Sequence, residues 1–160
     1  MSPELRLRRA GNADATAIAS VLREAFADFE PAYTSAAFAA TTPGATEIEQ
    51  RLAEGPIWVT ELEDRIIGTI SAVAGAEGVY VRGMAIAPSA RRRGVGKMLL
   101  EKAELFAQAN GAKRIYLSTT PFLSAAIQLY EAAGFVRSSA APHDLFGTPL
   151  FTMDKAVEGR

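Results

Sequence analysis

The sequence predicts an α/β fold of the α+β kind: a mixed, mostly antiparallel central sheet of about seven strands with helices on both faces. Three observations predict it. Short runs in which apolar and polar residues alternate are interleaved with longer runs of helical period. The resulting order, β-α-α-β-β-β-α-β-α-β-β, mixes neighbouring strands with strands separated by a helix. Turn residues such as Pro43-Gly44 and Gly55-Pro56 fall between these runs, and no repeat or low-complexity linker interrupts them, so residues 1–160 read as one domain.

The first element is "LRLRR", residues 5–9, whose alternation reads as a half-buried strand. Asn12 is a good N-cap for the periodic run Ile18, Val21, Leu22, Ala25 and Phe26, flanked by Asp14 and Glu24. "FEPAYTSAAFAATTPG" has no clean period and reads as a loop with a short helix. "ATEIEQRLAEG" is a helix stopped by Gly55 and Pro56. "IWVTELE" and "IIGTISAVAG" are strands joined by the tight turn Glu63-Asp64-Arg65, and "GVYVRGMAIAP" is a third, ended by Pro88. Gly94 to Asn110 is a helix whose stripe is Val95, Met98, Leu99, Lys102, Leu105 and Phe106. "KRIYLSTT" is a strand, "LSAAIQLYEAAG" a helix closed by Gly134, and "FVRSSA" and "PLFTMDKAV" are closing strands.

Composition narrows the function classes. With 49% hydrophobic residues, the chain can bury a sizeable core. A net charge of −1 offers no whole-molecule attraction to nucleic acid or to an anionic membrane surface. There is no cysteine, which excludes disulfides, a thiol nucleophile and a thiolate-ligated zinc, and no metal centre is expected. No run approaches the ~20 apolar residues of a membrane span. The N-terminal segment lacks the compact apolar core of a secretory signal, and Glu4 and Asp14 count against a mitochondrial presequence. The expected location is cytoplasmic.

One stretch carries chemistry. "APSARRRGVGKMLL", residues 87–100, sets three arginines and two glycines at the start of a helix that follows a strand. A helix start leaves backbone N–H groups unpaired and carries partial positive charge. Gly94 and Gly96 let an anion approach those groups, while Arg91, Arg92, Arg93 and Lys97 add charge. The combination suits a pyrophosphate or a phosphate with several oxygens. A Walker A loop is excluded, because Arg91 stands where its first glycine belongs and Met98 follows Gly96-Lys97. A dinucleotide fingerprint is excluded as well, since Gly94-Val95-Gly96 has no third glycine.

What remains, R-x-x-G-x-G over residues 91–96 after "MAIAP", resembles the coenzyme A loop of the Gcn5-related N-acetyltransferase (GNAT) family. "LYEAAGF", residues 129–135, is similar to that family's second signature at the usual distance downstream. The order of elements matches over nearly the whole chain. The resemblance implies transfer of an acetyl group from acetyl-CoA (coenzyme A) to a primary amine of a small molecule or peptide, by direct attack in a ternary complex. It implies a V between "RGMAIA" and "RIYLST", in which the pantetheine arm pairs with the backbone of Met84, Ala85 and Ile86. An N–H of this strand, assigned to Ile86, would stabilise the oxyanion. The pyrophosphate would sit on the amides of Arg92 to Lys97, Val95 included. Tyr130 matches the family's tyrosine that protonates the departing thiolate. Packing against the sheet is the structural alternative for Tyr130.

The base is less legible. Relatives place a glutamate where this chain has Ser118, or near Tyr80, and neither carboxylate is present. A water chain to Glu77, Tyr80 or His143 would substitute. His143 is the single histidine, in the loop "APHDLFGTPLF", and histidine is the residue type suited to proton transfer near neutrality. The family's cofactor-contacting asparagine is replaced by Leu123, leaving Ser124 or Thr119 to compensate. Candidates for the acceptor pocket are Phe29, Tyr33, Tyr80, Arg82 and Phe146, with Arg82 suited to an acceptor carboxylate. Aromatic residues in such loops also serve as ordinary packing.

The alternative function is a non-catalytic acyl-CoA sensor that signals to a partner. A nucleic-acid module built on the arginines is opposed by the acidic balance. A homodimer would form if "PLFTMDK" were a free edge strand.

Overall fold

The computed structural model describes residues 4–158. One sheet carries the fold, in the order β1-β2-β3-β4-β5-β8-β6, with β7 paired to β8. Its strands are β1 (Leu5–Arg9), β2 (Ile57–Leu62), β3 (Arg65–Gly75), β4 (Gly78–Ile86), β5 (Arg114–Thr119), β6 (Val136–Arg137), β7 (His143–Leu145) and β8 (Thr148–Ala156). All neighbours are antiparallel except β4 and β5. The helices are α1 (Ala15–Phe26), α2 (Ser35–Thr41), α3 (Ala45–Glu54), α4 (Val95–Ala109) and α5 (Ser124–Ala132).

Period-two alternation on β2 divides the core in two. Trp58 faces the side covered by α4 and α5, in one apolar cluster with Leu99, Leu100, Ala103 and Tyr130, and its ring lies 5.6 Å from that of Phe106. Ile57 and Val59 face the other side, with Ile18, Val21 and Leu22 of α1 and Ile48 of α3. Leu99 is fully buried, worth about 1.5–3 kcal/mol on its own. Glu63 and Asp64 both have positive φ, 51° and 63°, the conformation of a two-residue turn whose twist matches the β2–β3 hairpin.

Four expectations need correction. The stripe of α4 is rotated: Leu105 is exposed, whereas Leu100, Ala103 and Ala107 are buried. Small residues face the sheet because the helix lies close to it, and a reading weighted by hydrophobicity passes over them. Asn12 does not cap α1; it lies in a 3₁₀ turn, and the Asp14 carboxylate accepts the Gly11 N–H at 2.9 Å. Asp14 is held there by Arg8, which lowers its pKa and which also pairs with Glu61 of β2. The loop "APHDLFGTPLF" is a hairpin, so the sheet has eight strands and His143 opens β7. Finally, "PLFTMDK" is not an edge strand. β8 pairs with β5 on one side and with β6 and β7 on the other, so a dimer through this strand has no free ladder to use. Among the described residues no helix is long and apolar enough to cross a membrane.

Gly78 sits where β4 first meets β5. Its φ is +121°, and a Cβ there would stand 2.3 Å from the Arg114 carbonyl oxygen. Gly78→Ala is expected to destabilise the fold by about 1–3 kcal/mol through overpacking, with backbone strain added. Urea denaturation checks this; an unchanged midpoint would mean that β4 and β5 do not meet so closely at this point.

Candidate active site

The site begins where the sheet comes apart. β4 and β5 pair at Val79↔Ile115 and Tyr80↔Tyr116 only. Past these residues β5 continues against β8, and β4 continues against β3. The β5-facing edge of β4 is therefore open from about Val81 onward. Between Arg82 and Ala85, β4 has two residues, Gly83 and Met84, opposite the single residue Ile70 of β3. Gly83 has a φ of +59°, which glycine adopts without strain. This bulge reverses the alternation of the strand. Val79 and Val81 face the α4 side, and after the bulge Met84 and Ile86 do so, while Ala85 faces α1. Ala87 donates its N–H to Ile67 O of β3 at 2.8 Å. Successive N–H groups of a strand point to opposite edges, so that of Ile86 points into the parting.

The start of α4 stands beside this edge. Arg92 and Gly94 have φ of 68° and 76°, while Arg91 between strand and loop is extended. Left-handed residues alternating with others turn several N–H groups inward, the form of an anion-binding concavity. No side chain caps α4, and the first amide bonded within it is that of Met98, to Gly94 O at 3.1 Å. The amides of Val95, Gly96 and Lys97 are thus available by helix geometry. Arg91, Arg92, Arg93 and Lys97 are exposed around them, and Arg91 also reaches Ala25 O at the end of α1.

The two glycines have different duties. A Cβ on Gly94 would meet nothing within 4 Å; its role is the left-handed turn. A Cβ on Gly96 would lie 2.5 Å from Leu129 Cδ2 and 3.0 Å from Ile86 Cδ1. Gly96 lets α4 approach α5 and β4, and so brings the two signature stretches into contact.

Tyr130, on α5, is buried with its ring 6.2 Å from that of Phe135. Burial first, and then Tyr33, push its phenol up to about 12, so it holds its proton throughout the neutral range. Thr119 and Thr120, at the end of β5, have buried hydroxyls without a hydrogen-bond partner. Leu123 occupies the N-cap of α5 and supplies no side-chain cap. These orphaned hydroxyls, the open β4 edge and the uncapped amides fit a long ligand with polar groups along its length and an anion at one end.

The other face of β4 and β5 carries the remaining candidates. The Tyr80 and Tyr116 rings lie 5.2 Å apart at an interplanar angle of 38°, and the Arg114 guanidinium lies 4.3 Å from the Tyr116 ring. Two residues along β5, the Ser118 hydroxyl is 3.3 Å from His143 Nε2. Arg82 shares this face and pairs with Glu54. Glu77 lies in the β3–β4 turn, on the closed side of the parting. Phe29 and Tyr33 are packing residues: the Tyr33 ring meets Phe122 edge-on at 4.9 Å, and Phe29 lies 6.2 Å from Phe122. Burial pushes the Tyr33 phenol up to about 12. Phe146 is at the β7–β8 turn and 66% exposed. Sequence reasoning missed Tyr116, Arg51 and Glu54. The first could have been found from alternation in "RIYLST"; the others sit on a helix face that looks merely solvated.

Residues 18–135 match the sequence profile of the acetyltransferase (GNAT) family. The chain is 34% identical over 139 residues to the uncharacterized N-acetyltransferase YjgM of Escherichia coli (strain K12), covering 81% of this chain and 80% of that protein. The fold is similar to that of the PaiA N-acetyltransferase of Thermoplasma acidophilum, solved with coenzyme A, at a TM-score of 0.80 and 17% identity over 96% of this chain and 99% of the other. It is also similar to YncA of Salmonella typhimurium, solved with acetyl-CoA, at 0.74 and 19% over 98% and 95%. The matched profile spans the parted strands and the two signature stretches that meet at Gly96, and on it and the YjgM likeness the chain belongs to the acetyltransferase (GNAT) family, acyltransferases whose co-substrate is acetyl-CoA.

Proposed function

We propose that the protein acetylates the primary amine of a small molecule or peptide, the acetyl group passing directly to the amine within a ternary complex. The observation that carries this reading is the parting of β4 from β5 beside the uncapped start of α4. Acetyl-CoA, when bound, supplies an acetyl group on a thioester, already activated toward an amine. Met84, Ala85 and Ile86 offer main-chain groups along the open edge, and the amides of residues 92–97 hold the diphosphate. The Ile86 N–H, directed into the parting, stabilises negative charge on the carbonyl oxygen.

Three proton movements remain. Tyr130 keeps its proton at neutral pH and gives it to the departing thiolate, and the phenolate takes up the proton that the attacking nitrogen sheds as the amide forms. His143, with Ser118 at 3.3 Å, takes the proton that an alkyl ammonium must lose before it attacks. The Ser118 hydroxyl occupies the position where a carboxylate would otherwise act and relays the proton to the imidazole. Holding the amine over Tyr80 and Tyr116 brings it to the same opening, which lowers the barrier by orientation.

Calorimetry with coenzyme A and acetyl-CoA tests the reading: both are expected to bind, and absence of heat with either overturns it. Tyr130→Phe is expected to lower kcat roughly tenfold or more with little change in coenzyme A affinity. Equal turnover would remove the hydroxyl from the mechanism. A base acts unprotonated, so the rate should rise along the acid limb of the pH–rate profile; His143→Ala is expected to abolish that limb. A pH–rate profile identical to the parent's would exclude His143.

A further inference from the structure

A polar cavity of about 430 Å³ lies between α2, α3 and β4, and none of the steps above uses it. Its size falls within the ~300–1,000 Å³ common for small-molecule sites. Glu47, Arg51 and Glu54 line it from α3, and Arg82 from β4. The charges in it do not cancel in pairs. The Glu47 carboxylate accepts the Gly44 N–H at 2.6 Å and so caps its own helix. Glu54 pairs with Arg82. Arg51 is left half-buried and, among the described residues, in no ion pair. Burial, and then the Arg82 guanidinium, hold Arg51 below the usual arginine range, although Glu54 and Glu47 act on it in the opposite sense.

Two further atoms point the same way. Arg82 Nε and Ser71 Oγ are both buried without a hydrogen-bond partner, and they belong to residues directly opposite each other on β4 and β3. Opposite residues of an antiparallel pair share a face, so these two orphans look toward the same side. Unpaired buried donors are rare in native proteins and call for a missing partner. The bulge makes the room: a Cβ on Gly83 would stand 3.0 Å from Arg51 Nη1.

We propose that Arg51 and Arg82 seat a carboxylate of the acceptor, so that the substrate class is an amine bearing an acid group, such as an amino acid. This rests on the transferase reading above and names its acceptor. The seat adjoins the bulge, and Arg82 lies on the open stretch of β4 and on the same face as Tyr80 two residues before it, so an acid held there leaves its amine over the Tyr80–Tyr116 face. Glu47 and Glu54 match the two guanidiniums in number, but Glu47 is engaged with the Gly44 N–H and Glu54 with Arg82, so Arg51 is the cation left without an ion-pair partner, and a carboxylate would supply one.

The test is turnover of L-aspartate, L-glutamate, L-alanine and L-phenylalanine, each beside its α-carboxamide, together with O-phosphoethanolamine. At least one acid is expected to exceed its carboxamide in kcat/KM by about tenfold or more, the worth of a hydrogen bond to a charged group. Arg51→Gln removes an unpaired cation and should bring that ratio close to one by raising KM for the acid. Glu54→Gln frees Arg82 and should move the ratio the other way. Turnover with no preference for any acid, a preference for the phosphate compound, or an Arg51→Gln ratio equal to the parent's overturns the acceptor assignment alone. No turnover with any of these amines while coenzyme A still binds also overturns the acceptor assignment; no turnover together with no coenzyme A binding overturns the transferase reading and this proposal with it.

Discussion

The structure depends on a sheet that is allowed to open on one side because it stays closed on the other. β4 and β5 hold to each other through two residue pairs, and then each keeps a single ladder, β4 to β3 and β5 to β8. A buried main-chain group without a partner costs about 1–3 kcal/mol, so an opening within a sheet is tolerated only where a ligand or water meets the exposed groups. The bulge at Gly83–Met84 adds a second consequence. It turns Met84 and Ile86 toward α4 and α5, and leaves Arg82 on the face of α3. One extra residue thus separates a side of β4 suited to the thioester arm from a side suited to the acceptor.

The start of α4 depends on the same approach of elements. Gly96 has no side chain because Leu129 and Ile86 occupy the space, and Gly94 has none because the chain must turn left-handed there. A loop that reads as two glycines serving an anion is in fact one glycine for conformation and one for packing. Both together set the uncapped amides of the first turn beside the parted strands, the geometry an anion would need. The arginines contribute field around that point; exposed at the surface, they are screened by salt.

Polar chemistry gathers on the face that local pattern describes least well. His143 meets Ser118 because "HDL" and "TPLF" close into a hairpin that lays β7 along β8, and β8 in turn lies along β5. Tyr116 meets Tyr80 because β4 and β5 are parallel neighbours. Phe29 and Tyr33, in contrast, are drawn inward by Phe122 into a small aromatic core that ties the segment after α1 to the end of β5. Aromatic residues in a loop do not say whether they will find a ligand or one another.

Local pattern by itself determined the class of fold, the succession of elements and the two signature stretches, because period and turn chemistry are properties of adjacent residues. It also located the glycine-containing turn before α4, since a strand, a loop with glycines and a helix start are consecutive in the chain. Tertiary structure alone decided where β4 leaves β5, that β8 is interior, which face of α4 is buried and that Arg51 stands beside Arg82. Each of these is a meeting of residues distant in sequence. Such meetings are fixed by packing and by the completion of backbone ladders across the whole sheet, and no window of neighbouring residues carries that information.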